Sequence, residues 1–226
     1  MLDHCRFPAW SAEPNGGTLR LTATICPKSA TTSEFGLTHG PANVILTSCR
    51  RIPSCAFVTR FWGDLQKCTF SDELQAIDDQ AFYGRDLLKV VDLERCASLS
   101  VIGWNAFGSC NALTSLRLPD ALVRIEDAAF TGCRKLSSVK LTPMLTHLGP
   151  HAFRSCAGLE VADLSGCRSL ETIATGAFQG CTALQPIDLS SCASLVSIGV
   201  GAFPMHLEER ILFSPGLPRS SEWFAW

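Results

Sequence analysis

Charge is scarce in this chain. Asp, Glu, Lys and Arg make up 18% of its 226 residues, and their near balance leaves a formal net charge of −2. So weak a whole-molecule field does not hold a phosphate backbone, and nucleic acid is not an expected partner. No apolar run approaches the roughly 18 residues a membrane-spanning helix needs, so no membrane partner is expected either. The opening stretch, MLDHCRFPAWSAEPNGG, has neither a basic segment nor an apolar one of secretory type. None of Asn15, Asn43, Asn105 and Asn111 begins an N-x-[ST] sequon. These absences lead to the expectation of an intracellular protein, cytoplasmic or part of a cytoskeletal or organellar assembly. Catalytic signatures are missing as well: there is no G-x-S-x-G, no P-loop and no H-E-x-x-H. No catalytic residue, cofactor or small-molecule substrate is therefore expected.

What the chain has is a repeat. The phenylalanine of an "AF" pair recurs at Phe82, Phe107, Phe130, Phe153, Phe178 and Phe203, at spacings of 25, 23, 23, 25 and 25 residues. Six residues after each of the first five comes Leu88, Leu113, Leu136, Leu159 or Leu184. From that leucine the pattern is L-x-x-Φ-x-L, with Φ apolar: LKVVDL, LTSLRL, LSSVKL, LEVADL, LQPIDL. The extra residues of the longer units always fall in one place, so that Leu93 to Leu99 is a six-residue step and Leu118 to Leu122 a four-residue step. Length variation confined to one site marks a loop between fixed rungs. Earlier, degraded rungs are visible at Leu65–Cys68–Phe70 and near Val44–Leu46, and a terminal one near Arg210–Phe213, for about eight in all.

The pattern predicts a solenoid. Strand side chains alternate with period two, so Φ and the last leucine face inward and the residues beside them face outward. One unit cannot bury its apolar side alone and must stack on the next. Successive strands then pair in parallel about 4.8 Å apart, and the phenylalanines form an interior column.

The rungs LLKVVDLERCASLSVI, LEVADLSGCRSLETI and LQPIDLSSCASLVSI resemble cysteine-containing leucine-rich repeats, and the recurrent I-x-x-x-AF-x-x-C-x-x-L is similar to the BspA-like leucine-rich repeat family. The resemblance covers about residues 50–212. It implies an α/β solenoid of mostly strand and loop, right-handed and curved, with the parallel sheet on its concave face. It also implies a binding or adhesion module, since no motif of the family carries catalysis. The expected division is an N-terminal extension and cap over 1–45, a leucine-rich repeat solenoid over 46–213 and a C-terminal aromatic tail over 214–226.

Twelve cysteines are many, but their placement argues against a disulfide framework. Cys110, Cys133, Cys156 and Cys181 share one repeat position, and Cys96, Cys167 and Cys192 another. Stacked side chains with parallel Cβ vectors do not suit a disulfide without distortion, so reduced, buried thiols are expected. No C-x2-C occurs, and ligands 23–25 residues apart facing one direction cannot close a tetrahedron, so no metal site is expected. His147 and His151 lack a third ligand and read as surface residues. Asp78–Asp79 reads as a variable solvated loop.

The outward face of the sheet is the expected binding surface, for a protein partner. Its middle column reads Thr69, Asp92, Arg117, Lys140, Asp163, Asp188, and an adjoining column begins at Lys67. Two bases sit at the centre between acids. The alternation could instead be a self-neutralising solvated ladder. Thr18 to Ile25 alternates with period two and could supply an N-terminal cap strand. At the other end Trp223, Phe224 and Trp226 either fold back over the last rung or anchor a partner, as interface tryptophans do. Taken together, the sequence reads as a non-catalytic protein–protein interaction module, a scaffold or subunit of a larger intracellular assembly. The alternative is a cell-surface adhesin or receptor-type leucine-rich repeat protein.

Overall fold

The computed structural model describes residues 11–12, 18–21, 40–213 and 220–225. The L-x-x-Φ-x-L segments form short strands in which Φ is buried and its neighbours face outward, as at Ser115–Arg117 and Ser138–Lys140. Strands Asn43–Leu46, Lys67–Thr69, Val90–Asp92 and Ser115–Arg117 pair in parallel, with Thr69 opposite Asp92 and Asp92 opposite Arg117. Ser138–Lys140 pairs with Val161–Asp163, and Asp188–Leu189 with Leu212–Phe213, in the same sense. Equivalent letters of the repeat therefore lie one above another along a front sheet. At its N-terminal side Thr18–Leu21 joins Asn43–Leu46 in parallel and Ser11–Ala12 in antiparallel fashion.

A second ladder accompanies the first. The isoleucine that precedes each "AF", Leu148 in one turn, sits in a two-residue strand, from Arg51–Ile52 through Ser197–Ile198, and seven of these form one continuous parallel sheet. A third ladder runs through the "AF" turns themselves: Phe107 N–H donates to Ala129 C=O at 2.8 Å, Phe130 to Ala152 at 2.8 Å and Phe153 to Ala177 at 2.8 Å. These bonds explain the constant Ala. It is wholly buried against the neighbouring turn, where a larger side chain has no room. The structure is thus a parallel β-solenoid of about seven turns.

Helix is nearly absent. Among the described residues there are three single 3₁₀ turns, at Arg60–Trp62, Met205–Leu207 and Ser221–Trp223, and no α-helix. Turns link the strands, as the expected mostly strand-and-loop make-up has it, and each "AF" turn is flanked by left-handed backbone. Asn105, Ala128 and His151 have φ of 53°, 54° and 55° before the pair, and Ser109 and Ser155 have φ of 58° after it. Such residues interrupt right-handed helix within every unit.

The phenylalanines do form one interior line. From Phe57 to Phe203 the rings stack nearly parallel with centroids 4.5, 5.0, 5.3, 5.2, 5.6 and 5.9 Å apart. Each of these seven rings is wholly buried. Phe224 continues the line at 6.1 Å with its ring tilted by 39°.

Candidate protein-interaction face

The sign of each middle-column residue follows from the loop behind it. Where the step after the strand is six residues, the column holds Asp, and its carboxylate closes the loop. Asp92 accepts from Glu94 N–H at 3.2 Å, Asp163 from Ser165 N–H at 3.0 Å and Ser165 Oγ at 2.6 Å, and Asp188 from Ser190 N–H at 2.8 Å. These are Asx turns, in which a short acid caps the chain two residues on. The Ser165 hydroxyl, its backbone N–H and Lys140 hold Asp163 below the ordinary carboxylate value, against a small opposing effect of burial. Ser190 does the same for Asp188. Where the step is four residues no such cap is needed, and the column holds Thr69, Arg117 and Lys140.

Three of the acids are therefore engaged by their own loops, and the bases are the column's outward-reaching groups. Arg117 leans toward the preceding rungs, with Nη1 3.2 Å from Glu94 and 3.9 Å from Asp92. Glu94 was not singled out by the sequence pattern, because it lies two residues beyond the strand. Among the described residues Lys140 makes no ion pair within 4 Å, and the expected Lys140–Asp163 attraction acts at longer range. Lys67 and Thr69 are exposed in the same columns. Val161 and Leu212, 49% and 61% exposed, add apolar surface to the face.

The front ladder breaks twice. Between Val161–Asp163 and Asp188–Leu189 the cause is Pro186, which has no N–H to donate at the position opposite Val161. Between Ser115–Arg117 and Ser138–Lys140 no proline intervenes. Leu93 N–H reaches Arg117 C=O and Leu141 N–H reaches Asp163 C=O, each at 2.9 Å, but Leu118 and Lys140 are not joined in this way. This break coincides with Arg117 and Lys140, one of two pairs of like charges in the column, and the other pair, Asp163 and Asp188, lies at the Pro186 break; like charges side by side weaken strand pairing.

The aromatic tail folds onto the stack. Trp223 is buried with its ring 5.3 Å from Phe213, and Phe224–Ala225 pairs in parallel with Phe203–Pro204. Gly201 N–H also donates to Glu222 C=O at 2.6 Å. Trp223 and Phe224 thus cover the last rung, while Trp226 lies outside the described residues.

Nine of the ten described cysteines are buried, and Cys55, Cys68, Cys96, Cys110, Cys133, Cys156, Cys167, Cys181 and Cys192 carry free thiols. The thiols of Cys110, Cys133, Cys156 and Cys181 donate to the carbonyls of Phe82, Phe107, Phe130 and Phe153 at 3.1–3.3 Å. Burial pushes Cys96, Cys110 and Cys167 up to about 12 and Cys192 to about 11. These are inert packing groups, unlike thiolate nucleophiles. No group of three or more His, Cys, Asp or Glu that could hold a metal occurs among the described residues.

His147 and His151 sit deeper than the sequence indicates. Both are half-buried, and His147, in a strand of the second sheet, is held below its ordinary value by burial and then by Arg124. Asp78 and Asp79 tie rungs together: Asp78 accepts from Arg51 Nε at 2.8 Å and Asp79 from Trp104 N–H at 2.9 Å.

Parallel front strands, recurrent leucines with other apolar residues at the inward positions, and one loop of variable length per turn define the class: this is a leucine-rich-repeat stack. Six copies of the BspA type leucine-rich repeat region match residues 50–185 and 100–213, so the chain belongs to that family. Among solved structures it is similar to a leucine-rich repeat protein from Bacteroides ovatus, with 25% identity and a TM-score of 0.56 over 80% of this chain. The chain spans 45% of that protein's length. It also resembles the leucine-rich repeat domain of the type III effector XopL, at 18% identity and a TM-score of 0.51, covering 91% of this chain and 78% of the other. No curated protein matches it in sequence. A leucine-rich-repeat fold of this kind suggests a protein-interaction module.

Proposed function

We propose that the chain is a non-catalytic binding module that recruits a protein through the outward face of its front sheet, as a scaffold or subunit of an intracellular assembly. The observation that carries this reading is the construction of the face. Its middle column presents Arg117 and Lys140 outward with Val161 and Leu212 exposed beside them, while the column's acids are occupied by their own loops. A broad, mildly apolar face with a few exposed charges suits a protein surface. Unpaired, buried thiols favour a reducing compartment.

Affinity capture with wild type and with Arg117→Glu/Lys140→Glu, compared by mass spectrometry, tests the reading. We expect the double variant to fold normally and to lose specific partners. An unchanged set of partners removes the front face from the binding role. Fractionation of the native host protein tests the compartment, and recovery at the cell surface favours the adhesin alternative.

A further inference from the structure

Beside Arg117 and Lys140, at the unpaired step between Ser115–Arg117 and Ser138–Lys140, a cleft of about 560 Å³ lies on the binding face; a second, of about 480 Å³, lies over the paired strands Lys67–Thr69 and Val90–Asp92. The size of the first falls within the roughly 300–1,000 Å³ of ligand clefts. Its floor is aliphatic: Leu116 and Leu118 show 7% and 8% of their surface, where the second cleft has Cys68 and Phe70 at those positions. Its walls are Arg117, Lys140 and Glu94, whose carboxylate lies 3.2 Å from Arg117, with Asp120 exposed at the lip. We infer that this cleft seats an acidic side chain, Asp or Glu, carried next to an aliphatic residue on an extended segment of a partner protein.

Charge complementarity selects that occupant. Lys140 has no acid within 4 Å among the described residues, because the carboxylate beside it in the column, Asp163, is turned into its own loop by Ser165. Arg117 is held only by exposed contacts to Glu94 and Asp92, with 62% of its side chain open to solvent. Exposed pairs of this kind are weak and exchange partners readily. A carboxylate placed between the two bases relieves their mutual repulsion, and a guanidinium offers it two parallel donors. The neighbouring aliphatic residue covers the exposed edges of Leu116 and Leu118. Acidic Asp120 at the lip disfavours a longer run of negative charge, so one acid flanked by apolar residues fits better than a polyacidic stretch.

The inference rests on the front face being the binding surface, and the test separates the two. A random peptide library displayed on phage is selected against the purified full chain, and enriched peptides are synthesised and titrated by fluorescence anisotropy. The expected result is a fixed Asp or Glu beside Leu, Ile or Val, with affinity reduced roughly tenfold or more in Lys140→Met and falling with added salt. Substituting the fixed acid by its amide should cost a similar factor. Circular dichroism establishes that Lys140→Met is folded, as an exposed position allows. Enriched peptides that lack a fixed acid, that lose binding in Val161→Trp but not in Lys140→Met, overturn the cleft and leave the face intact. Peptides indifferent to both variants overturn the cleft and the face together. Enrichment of no common sequence overturns the cleft proposal. Concentration-dependent dimerisation that Lys140→Met abolishes overturns it too, by assigning the cleft to a second copy of this chain.

Discussion

Phe130→Ala strikes the solenoid at its centre. The ring is wholly buried and lies parallel to Phe107 at 5.3 Å and to Phe153 at 5.2 Å. Truncating a buried phenylalanine costs about 3–5 kcal/mol through lost burial and the cavity left behind. Two ring pairs vanish as well, each worth roughly 0.5–1.5 kcal/mol beyond area. The hole cannot collapse, because the turns on either side are fixed by the Phe107–Ala129 and Phe130–Ala152 backbone bonds, each 2.8 Å. The loss therefore falls near the upper end, about 4–5 kcal/mol. In a chain of this length each kcal/mol moves Tm by about 2–4 °C, so Tm should drop by roughly 8–20 °C. Phe224→Ala is the comparison. That half-buried ring is tilted 39° at the end of the line and should cost about 1–2 kcal/mol. Stability in a stack depends on nearest neighbours, so the central lesion should also broaden or split the transition, which the terminal one should not. Scanning calorimetry and urea denaturation followed by circular dichroism read both effects. Equal losses for the two variants, or a loss under about 1 kcal/mol for Phe130→Ala, would refute a continuous aromatic core.

Thiol chemistry gives a second prediction: brief alkylation of the native protein, mapped by mass spectrometry, should modify exposed Cys55 well before Cys110 or Cys167, whose thiols burial raises to about 12. Comparable labelling of Cys110 contradicts the buried column. Gly149→Ala should destabilise by about 1–3 kcal/mol through overpacking, because a Cβ there lies 2.7 Å from Glu126 C and 2.8 Å from Ile125 O, both main-chain atoms of the previous rung. A neutral result in urea titration shows that the rungs are not in such close contact. Asp163 and Asp188 have folded-state values below the ordinary one, so they add stability above about pH 4 that is lost as pH falls through the lower folded values. Asp163→Asn should therefore lose less stability than wild type between pH 5 and pH 2.5, read as the shift in urea midpoint; an identical shift rules out the carboxylate's contribution.

Repetition made the stack legible before any coordinates. Constant Leu, Phe and Ile positions at 23 or 25 residues reveal parallel rungs, buried columns and the site of loop variation, because each unit must match its neighbours and not merely itself. The second sheet was not legible. Its strands are two residues long, such as Arg124–Ile125, too short for alternation to register. The mostly strand-and-loop make-up was legible, but its local cause, left-handed φ at ordinary residues such as Ala128 and Ser155, leaves no mark that propensity can read. At the candidate site, the column of Thr69, Asp92, Arg117, Lys140, Asp163 and Asp188 and its central pair of bases were visible as letters. The engagement of the acids with Ser165 and Ser190, the tie between Arg117 and Glu94, and the unpaired step of the front ladder beside Lys140 were not. Those depend on which loop each strand feeds and on pairing across turns, and neither is a property of a single rung.

The distance between residues 69 and 188 tests the stacking most directly. Spin labels carried on p-acetylphenylalanine at these two exposed positions, which leaves every native thiol in place, can be read by double electron–electron resonance. Five parallel steps of about 4.8 Å put the backbones about 24 Å apart, so a single narrow distribution near that value, widened by label length, is predicted. A broad distribution, or one centred beyond about 40 Å, contradicts a registered parallel stack.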